Sequence, residues 1–422
     1  MERRETELLI VGGGPAGMIA GLLFARAGME TLVLEKHGEF LRDFRGDTVH
    51  PSTLRIFDEL GLLDRFLERP HDKVRSIGAY VGDTHVEVAD FTRLDPRWGF
   101  IAMTPQWHFL DFVADEARAY PNFTLLMNAE ATGLVEEQGR VGGVIARGEA
   151  GETSYRARLT IAADGRGSIL RERSRLPLRS LGAPIDVFWF RMPKRRTEEN
   201  DSTGIFAAGR ILALIDRGDY WQCAYVFPKG QAEQVKARGI EAFRDEVARL
   251  TSRFEPDLSE VRGWDDVRLL TVALDRLESW HRPGLLVIGD AAHAMSPLGG
   301  VGINVAIQDA VAAANILAAP LAGGEDVDPL LARVQRRREF PVRLVQAFQA
   351  AAQRRIIAPL LSGPARQVRP PLALRLLDRF AILRAIPAAF LGLGIRAEHV
   401  RSPDAGLRRA APPAPAPSPA RD

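Results

Sequence analysis

Cysteine is nearly absent: Cys223 stands alone among 422 residues. No disulfide can form within the chain, and no cysteine cluster can hold a metal. A lone thiol fits a reducing compartment, so the cytoplasm is the expected setting. An excess of one charge is missing too. Lys+Arg is 56 against Asp+Glu 54, a net charge of +2, which supplies no basic face for a nucleic-acid partner. Lysine is scarce: only Lys36, Lys73, Lys194, Lys229 and Lys236 occur, and the other 51 basic residues are Arg. We read that as coding bias. No uncharged apolar run reaches the ~18 residues that a spanning helix needs. The nearest candidate, Phe380 to Ile395, is broken by Arg384 and Pro387. It reads as a helical pair packed on the main domain. Its rim of Arg375, Arg379 and Arg396 would also suit weak contact with a membrane surface. Arg3 and Arg4 before an apolar stretch resemble a signal peptide, but Gly12 to Pro15 interrupts it and a second apolar strand follows.

What is present is an ordinary soluble composition, 46% hydrophobic and 26% charged. The length is enough for two to three domains. Leu8-Leu9-Ile10-Val11 reads as a buried strand, residues 15–27 as a helix ended by Gly28, and Thr31 to Leu34 as a second strand closing in Glu35. This β-α-β unit implies parallel strands and a right-handed crossover. Helices over 51–68 and 105–119, a hairpin over 74–92 and a strand Thr124–Met127 follow, then a small meander over 129–163. Residues 183–228 are rich in aromatic and β-branched types and predict a mostly antiparallel sheet. Helices return over 231–252, 303–317 and 329–357, around a buried strand Leu285–Ile288. The Pro/Ala-rich end predicts a disordered tail.

Three stretches carry chemistry. The first is Gly12-x-Gly14-x-x-Gly17, placed between a strand and a helix. Gly12 permits a tight turn, Gly14 lets the backbone approach a pyrophosphate, and Gly17 lets the helix pack on the strand. Pro15 and Ala16 open that helix, whose N-terminus favours phosphate. Glu35 lies where a carboxylate accepts ribose hydroxyls. This is a dinucleotide site; the motif alone does not separate FAD from NAD. The second stretch is Asp164-Gly165-Arg166-Gly167-Ser168-Ile169-Leu170-Arg171, in isolation a turn with Ser168 as a helix cap. The third is Gly289-Asp290-Ala291-Ala292-His293, followed by Pro297 and Gly299-Gly300-Val301-Gly302-Ile303-Asn304. There a strand delivers Asp290 towards a polyol, and a helix start presents amides to an electron-rich edge. His293 reads as a packed, hydrogen-bonded histidine. No metal site is expected.

Together, in this order, the three stretches resemble the para-hydroxybenzoate hydroxylase-like flavoprotein monooxygenases, over roughly residues 6–345. Residues 164–171 match that family's Asp-Gly-x-x-Ser-x-x-Arg element, and 289–304 match its Gly-Asp element with Val301 where many members carry Gln. The resemblance implies an α/β fold (α+β overall): a Rossmann-like FAD domain, an inserted mostly antiparallel substrate sheet and C-terminal helices. The bounds would be 1–73, 93–176 and 268–345 for the FAD domain and 74–92 with 177–267 for the substrate domain. The C-terminal helices would span 346–400 and the tail 401–422.

It further implies that Gly12, Gly14, Pro15, Ala16 and Gly17 bind the FAD pyrophosphate and Glu35 the adenosine ribose. Arg45 would sit near the pyrophosphate and the nicotinamide donor, and Gln106 against the flavin. Asp164 and Gly165 would help hold FAD, and Asp290 the ribityl chain. Pro297 with Gly300, Val301, Gly302, Ile303 and Asn304 would line the isoalloxazine. Trp189, Arg191, Phe206, Trp221 and Tyr225 are candidate substrate walls, and His50 and Asp47 candidate acid/base groups; Arg45, Pro297 and His50 are thus the catalytic candidates. The implied reaction hydroxylates a phenol-like or polycyclic aromatic molecule with NAD(P)H and O2, through a flavin C4a-hydroperoxide. The enzyme would be a monomer or homodimer. A flavin-dependent halogenase, an oxygen-independent flavin reductase and a non-catalytic flavin-binding module remain alternatives. Phe188-Trp189-Phe190-Arg191-Met192-Pro193 only superficially echoes the halogenase Trp-x-Trp-x-Ile-Pro stretch.

Overall fold

The computed structural model describes residues 2–40, 48–194, 202–207, 209–362 and 370–408. Its main sheet is built from β1 (Glu2–Val11), β2 (Thr31–Leu34), β3 (Phe123–Leu126), β4 (Gly151–Ala162) and β5 (Leu285–Val287), in the spatial order β5-β4-β1-β2-β3 and all parallel. Helix α1 (Pro15–Arg26) makes the crossover between β1 and β2. Short apolar runs become these strands because both faces are covered. On one side lie α1, α2 (Gln106–Arg118) and α3 (Gly302–Ala322), which share a core with Ile10, Val33, Ile161 and Leu286. On the other, Leu9, Val11, Leu34, Ala162 and Val287 pack against the meander Glu130–Glu137/Arg140–Gly148 and against Val342 and Val345 of α4 (Asp328–Ala352).

The last strand of the expected meander is more than a meander strand. β4 pairs antiparallel with Arg140–Gly148 through its first half and then runs on between β1 and β5 as a central parallel strand. α3 has the length and composition of a membrane-spanning helix, yet 72% of its most apolar window is buried. It is the central core helix, with Asp309 at mid-length.

A second sheet of seven strands stands on the first unit. Its order is Arg268–Leu270, Ile185–Pro193, Tyr220–Pro228, Arg210–Asp216, Thr203–Ala207, Ser76–Val81, Thr84–Asp90. The hairpin 76–90 joins it through a parallel pairing of Ser76–Val81 with Thr203–Ala207. Arg268–Leu270 adds an edge strand just past the expected boundary at 267. One face of the sheet is covered by Ile240–Leu250, with Phe243 and Val247 buried against it. The other turns towards the main domain.

Two expected boundaries are corrected. A cut at 345 would sever α4, which is continuous from Asp328 to Ala352. The disordered tail does not begin at 401: residues 401–408 pack on the body. Arg26 donates to the Ser402 and Pro403 carbonyls, and Ala405 N–H donates to the Arg26 carbonyl. The rest of the expected tail lies outside the described residues. The C-terminal helices Leu372–Arg379 and Ala385–Gly392, with the turn Ala381–Arg384 between them, leave Leu372, Ile382 and Ile386 exposed.

Candidate functional site

Strand register decides where the three motifs meet. Val11 is opposite both Leu34 and Ala162, and Ala162 is opposite Val287. The carboxyl ends of β2, β1, β4 and β5 are therefore level. Gly12, Glu35, Ala163-Asp164 and Ile288-Gly289-Asp290 leave the sheet along one edge, where open parallel sheets bind ligands. The expected convergence of Glu35, Asp164 and Asp290 on one edge is what the structure shows.

The glycine turn is as tight as the motif requires. Gly12 has φ +107°, and a Cβ there would lie 2.4 Å from the Ala163 carbonyl oxygen. A Cβ on Gly17 would lie 1.9 Å from the Gly12 carbonyl oxygen. At Gly14, by contrast, a Cβ would meet nothing within 4 Å, so the turn leaves open space at the start of α1. Glu35 is buried, with one carboxylate oxygen accepting Gly13 N–H at 2.7 Å. The other accepts His37 N–H at 3.1 Å and lies 2.6 Å from His37 Nδ1.

The second and third motifs are tied to each other. Ser168 Oγ donates to Asp164 at 2.5 Å and caps helix Ile169–Ser174 by accepting Arg171 N–H. Burial raises the Asp164 carboxyl, opposed by these hydrogen bonds. Arg166 Nε donates to Asp290 at 2.9 Å, and Arg171 donates to the Arg166 and Ala291 carbonyls. Arg166, inside the second motif, thus bridges it to the third, a role that its position in the sequence does not signal.

The Gly-Asp turn rests on a buried charge network absent from the sequence reading. Asp309 accepts Gly289 N–H, lies 2.6 Å from His293 Nε2, and accepts Arg338 Nε at 2.9 Å. Burial alone would raise the Asp309 carboxyl; His293 and Arg338 beside it hold it below its ordinary value. His293 is thus a packed, hydrogen-bonded histidine, as expected. The only available signal for Asp309 was its being a lone charge in the apolar run Val305–Leu317.

Downstream, three glutamines of α4 and the turn after it hold the loop ahead of α3. Gln346 Nε2 donates to the Asp275 and Ala294 carbonyls. Gln349 accepts Ser296 N–H and donates to the Ser296 and Leu298 carbonyls. Gln353 donates to Ser296 Oγ. Pro297 begins the turn Leu298–Gly300, where Gly299 and Gly300 both take positive φ. A Cβ on Gly300 would approach Thr48 Oγ1 at 3.0 Å and His50 Nε2 at 3.5 Å. Asn304, in the first turn of α3, accepts His50 N–H and Thr53 Oγ–H. Gln106 is half-buried at the start of α2. Arg45 and Asp47 lie outside the described residues.

The antiparallel sheet sorts the wall candidates by parity. Trp189 and Phe206 lie on the face towards the main domain, in an apolar cluster with Ala213, Ala224 and Leu298. Trp189 Nε1 is buried there with no hydrogen-bond partner. Tyr225 and Trp221 were expected on that wall and are not. Both alternate onto the opposite face, packed with Phe243 and Phe254 respectively. The Tyr225 hydroxyl is bonded to Glu246. Arg191 shares the parity of Trp189, but it is solvent-exposed and its guanidinium lies over the Tyr220 ring at 3.9 Å.

Residues 5–348 match the family described as "FAD binding domain". The chain belongs to that family. This FAD-binding protein is 32% identical over 357 residues to a 6-methylpretetramide 4-monooxygenase of Streptomyces rimosus, covering 83% of this chain and 80% of the relative. It is 24% identical to a para-nitrophenol 4-monooxygenase of Pseudomonas, over 76% of this chain and 80% of the relative. Among solved structures, a p-nitrophenol 4-monooxygenase from Pseudomonas putida superposes with a TM-score of 0.70 at 20% identity, covering 93% of this chain and 95% of that one. FAD is the cofactor of this protein, and it is an oxidoreductase of the FAD-dependent monooxygenase kind.

The residues fit that cofactor. A Gly-rich turn leaves open space at a helix N-terminus, where phosphate is favoured. Among the described residues, His50 Nε2, Asn304 Nδ2 and Arg166 Nη1 are buried polar atoms of this region without a partner. Such atoms cost free energy unless something fills the cleft and bonds them.

Proposed function

We propose that this monooxygenase hydroxylates a multi-ring aromatic small molecule bearing a carbonyl or phenolic oxygen, consuming NAD(P)H and O2. One observation carries the reading. Leu298, on the loop expected to line the flavin, packs into the same apolar cluster as Trp189 and Phe206 of the second sheet. A ring system held against that wall would therefore lie next to the flavin. The relative acting on 6-methylpretetramide, at 32% identity, supports a multi-ring substrate.

Bound FAD supplies the hydride-accepting and oxygen-activating chemistry. The chain supplies placement. Gly12, Gly14 and Gly17 with the start of α1 would hold the pyrophosphate, and Glu35 the adenosine ribose. Arg45 and Gln106 would approach the cofactor from the preceding segments. Asp164 would hold FAD beside the glycine turn, and Asp290 the ribityl chain. Pro297 and Gly300 to Asn304 would form the isoalloxazine bed. The apolar face of the second sheet would exclude water from the reacting carbon. Trp189 Nε1, a donor with nothing to bond, would orient the substrate through its oxygen. The exposed Leu372, Ile382 and Ile386, beside Arg375 and Arg379, would give weak contact with a membrane surface. A chain whose one cysteine, Cys223, is a free buried thiol would suit the cytoplasm.

The test is an NAD(P)H-oxidation and oxygen-uptake screen of the purified yellow protein over phenols, quinolones and polycyclic aromatics, with product mass measured. A gain of one oxygen atom with one of these compounds is expected. A colourless protein that cannot be reconstituted with FAD, or reduction that never consumes oxygen, would overturn the reading.

A further inference from the structure

A cavity of about 210 Å³ has no residue of the three motifs in its lining; Arg179, Arg276, Leu277, Glu278, Glu339 and Arg343 surround it. Arg179 and Arg276 stand directly opposite each other where Leu178–Ser180 pairs antiparallel with Asp275–Leu277. Like charges so placed repel. Arg343 joins them from α4. Burial lowers the pKa of Arg276; Glu339 opposes this, and Arg343 and Arg179 add to it. Arg276 is only 9% exposed, yet one of its nitrogens alone is bonded: Nη1 donates to Gln346 Oε1 at 2.8 Å. Its Nε and Nη2 have no partner among the described residues, and neither is sealed off from the cavity. Among the described residues, no carboxylate reaches hydrogen-bonding distance of the three guanidiniums. Glu339 stands 3.9 Å from Arg343, and the exposed Glu278 side chain has no partner.

Three guanidiniums on one cavity, two of them facing across a strand pair, call for an anion between them. A carboxylate is planar and one Arg fork satisfies it. Forks arriving from three segments match a tetrahedral phosphate, which offers more oxygens in more directions. The cavity is larger than that ion, and its wall also carries Glu278 and Glu339, which only accept hydrogen bonds when ionised. The rest of the ligand must therefore bring donors. We propose that the cavity binds a small hydroxylated phosphomonoester, a polyol or sugar phosphate, with its phosphate on Arg179, Arg276 and Arg343 and its hydroxyls donating to Glu278 and Glu339. The assignment is independent of the flavin chemistry. The site nevertheless abuts the loop ahead of α3, because Gln346, which accepts from Arg276, also donates to the Asp275 and Ala294 carbonyls.

The test is calorimetric titration of the full-length holoenzyme with glycerol 3-phosphate and with inorganic phosphate, in chloride of matched ionic strength so that general screening is constant. Wild type should bind one equivalent of glycerol 3-phosphate, and bind it more tightly than inorganic phosphate. Arg179→Gln and Arg343→Gln change exposed residues and leave the Arg276 bond to Gln346 in place. Each should weaken the ester at least about tenfold. Glu278→Ala should narrow the preference for the ester at least about threefold. Arg333→Gln, exposed on α4 outside the lining, should change nothing. No saturable binding of the ester by wild type, or equal losses in Arg333→Gln and Arg343→Gln, overturns the site. Tighter binding of inorganic phosphate than of the ester overturns the polyol assignment. Should Arg179→Gln not fold, Arg343→Gln decides, together with the rise in wild-type melting temperature that a ligand bound only by the folded state must cause.

Discussion

Acid should destabilise this protein through one imidazole. His50 is wrapped by Leu391, Gly300 and Asn304, and desolvation by burial takes its pKa from 6.5 to about 4, with the Leu391 carbonyl opposing only in part. Below pH 6.5 the unfolded chain binds a proton that the buried ring refuses. Unfolding then takes up a proton, and stability falls as the pH drops. Below about 4 both states are protonated and the loss stops growing. A fall from 6.5 to about 4, at about 1.4 kcal/mol per pH unit, gives a loss of about 3 kcal/mol. That is a large share of the ~5–15 kcal/mol that a native domain commands. Many carboxylates also titrate in this range, so the measurement must be differential. Urea unfolding of FAD-free wild type and His50→Gln, stepped through this window, isolates the imidazole. The stability difference between the two should shift against wild type by about 3 kcal/mol across the window. Parallel curves would show that the ring is protonated in the folded state.

Three further outcomes follow from packing. Gly17→Ala should abolish soluble expression, because its Cβ would sit 1.9 Å from a backbone oxygen; Gly14→Ala should fold with an unchanged melting temperature yet bind FAD at least about tenfold more weakly, as its Cβ enters the open cradle. Tyr225→Phe should cost about 1–2 kcal/mol of stability by releasing Glu246 while leaving the substrate KM alone, whereas Trp189→Phe should raise KM with little change in melting temperature, and the reverse pattern would mean that the two faces of the sheet are misassigned. Gln349→Leu removes the partner of Ser296 N–H and of two carbonyls, so it should lower stability by roughly 2–4 kcal/mol and speed FAD release in a stopped-flow chase.

The parts of the site legible in the sequence are those where backbone geometry admits few residues. Gly12 and Gly17 are glycine because a Cβ would strike a carbonyl, and such positions mark themselves in any sequence. Glu35, Asp164 and Asp290 were legible because each follows a short apolar run, and parallel strands ending level bring their successors together. The substrate wall was half legible for the opposite reason. Alternation shows that neighbours in Tyr220–Pro228 face opposite ways, but not which way is inward. Tyr225 and Trp221 therefore looked as good as Trp189, and only the docking of Ile240–Leu250 on one face breaks the tie. The hardest parts to see were pairs distant in the chain. Arg338 is one more arginine in an Arg-rich helix until Asp309, 29 residues away, is seen against it.

The longest of these connections changes how the C-terminal segment is understood. The family match ends at 348, yet residues beyond it take part in the site's architecture. The Leu391 carbonyl fixes the tautomer of His50. Glu398 is buried, pairs with Arg337 and Arg338, and donates its backbone N–H to the side-chain oxygen of Gln308 of α3. Arg338 carries that connection to Asp309, and Asp309 to the Gly289 N–H and His293. A run of charged contacts thus joins the C-terminal strap to the turn that delivers Asp290. Buried ion pairs are weak evidence for stability, since apolar residues of equal volume often serve as well or better. What they do enforce is geometry, because leaving one member unpaired costs several kcal/mol. The segment after α4 is therefore better understood as the element that holds the Gly-Asp turn and His50 in one arrangement than as a cap on a finished domain.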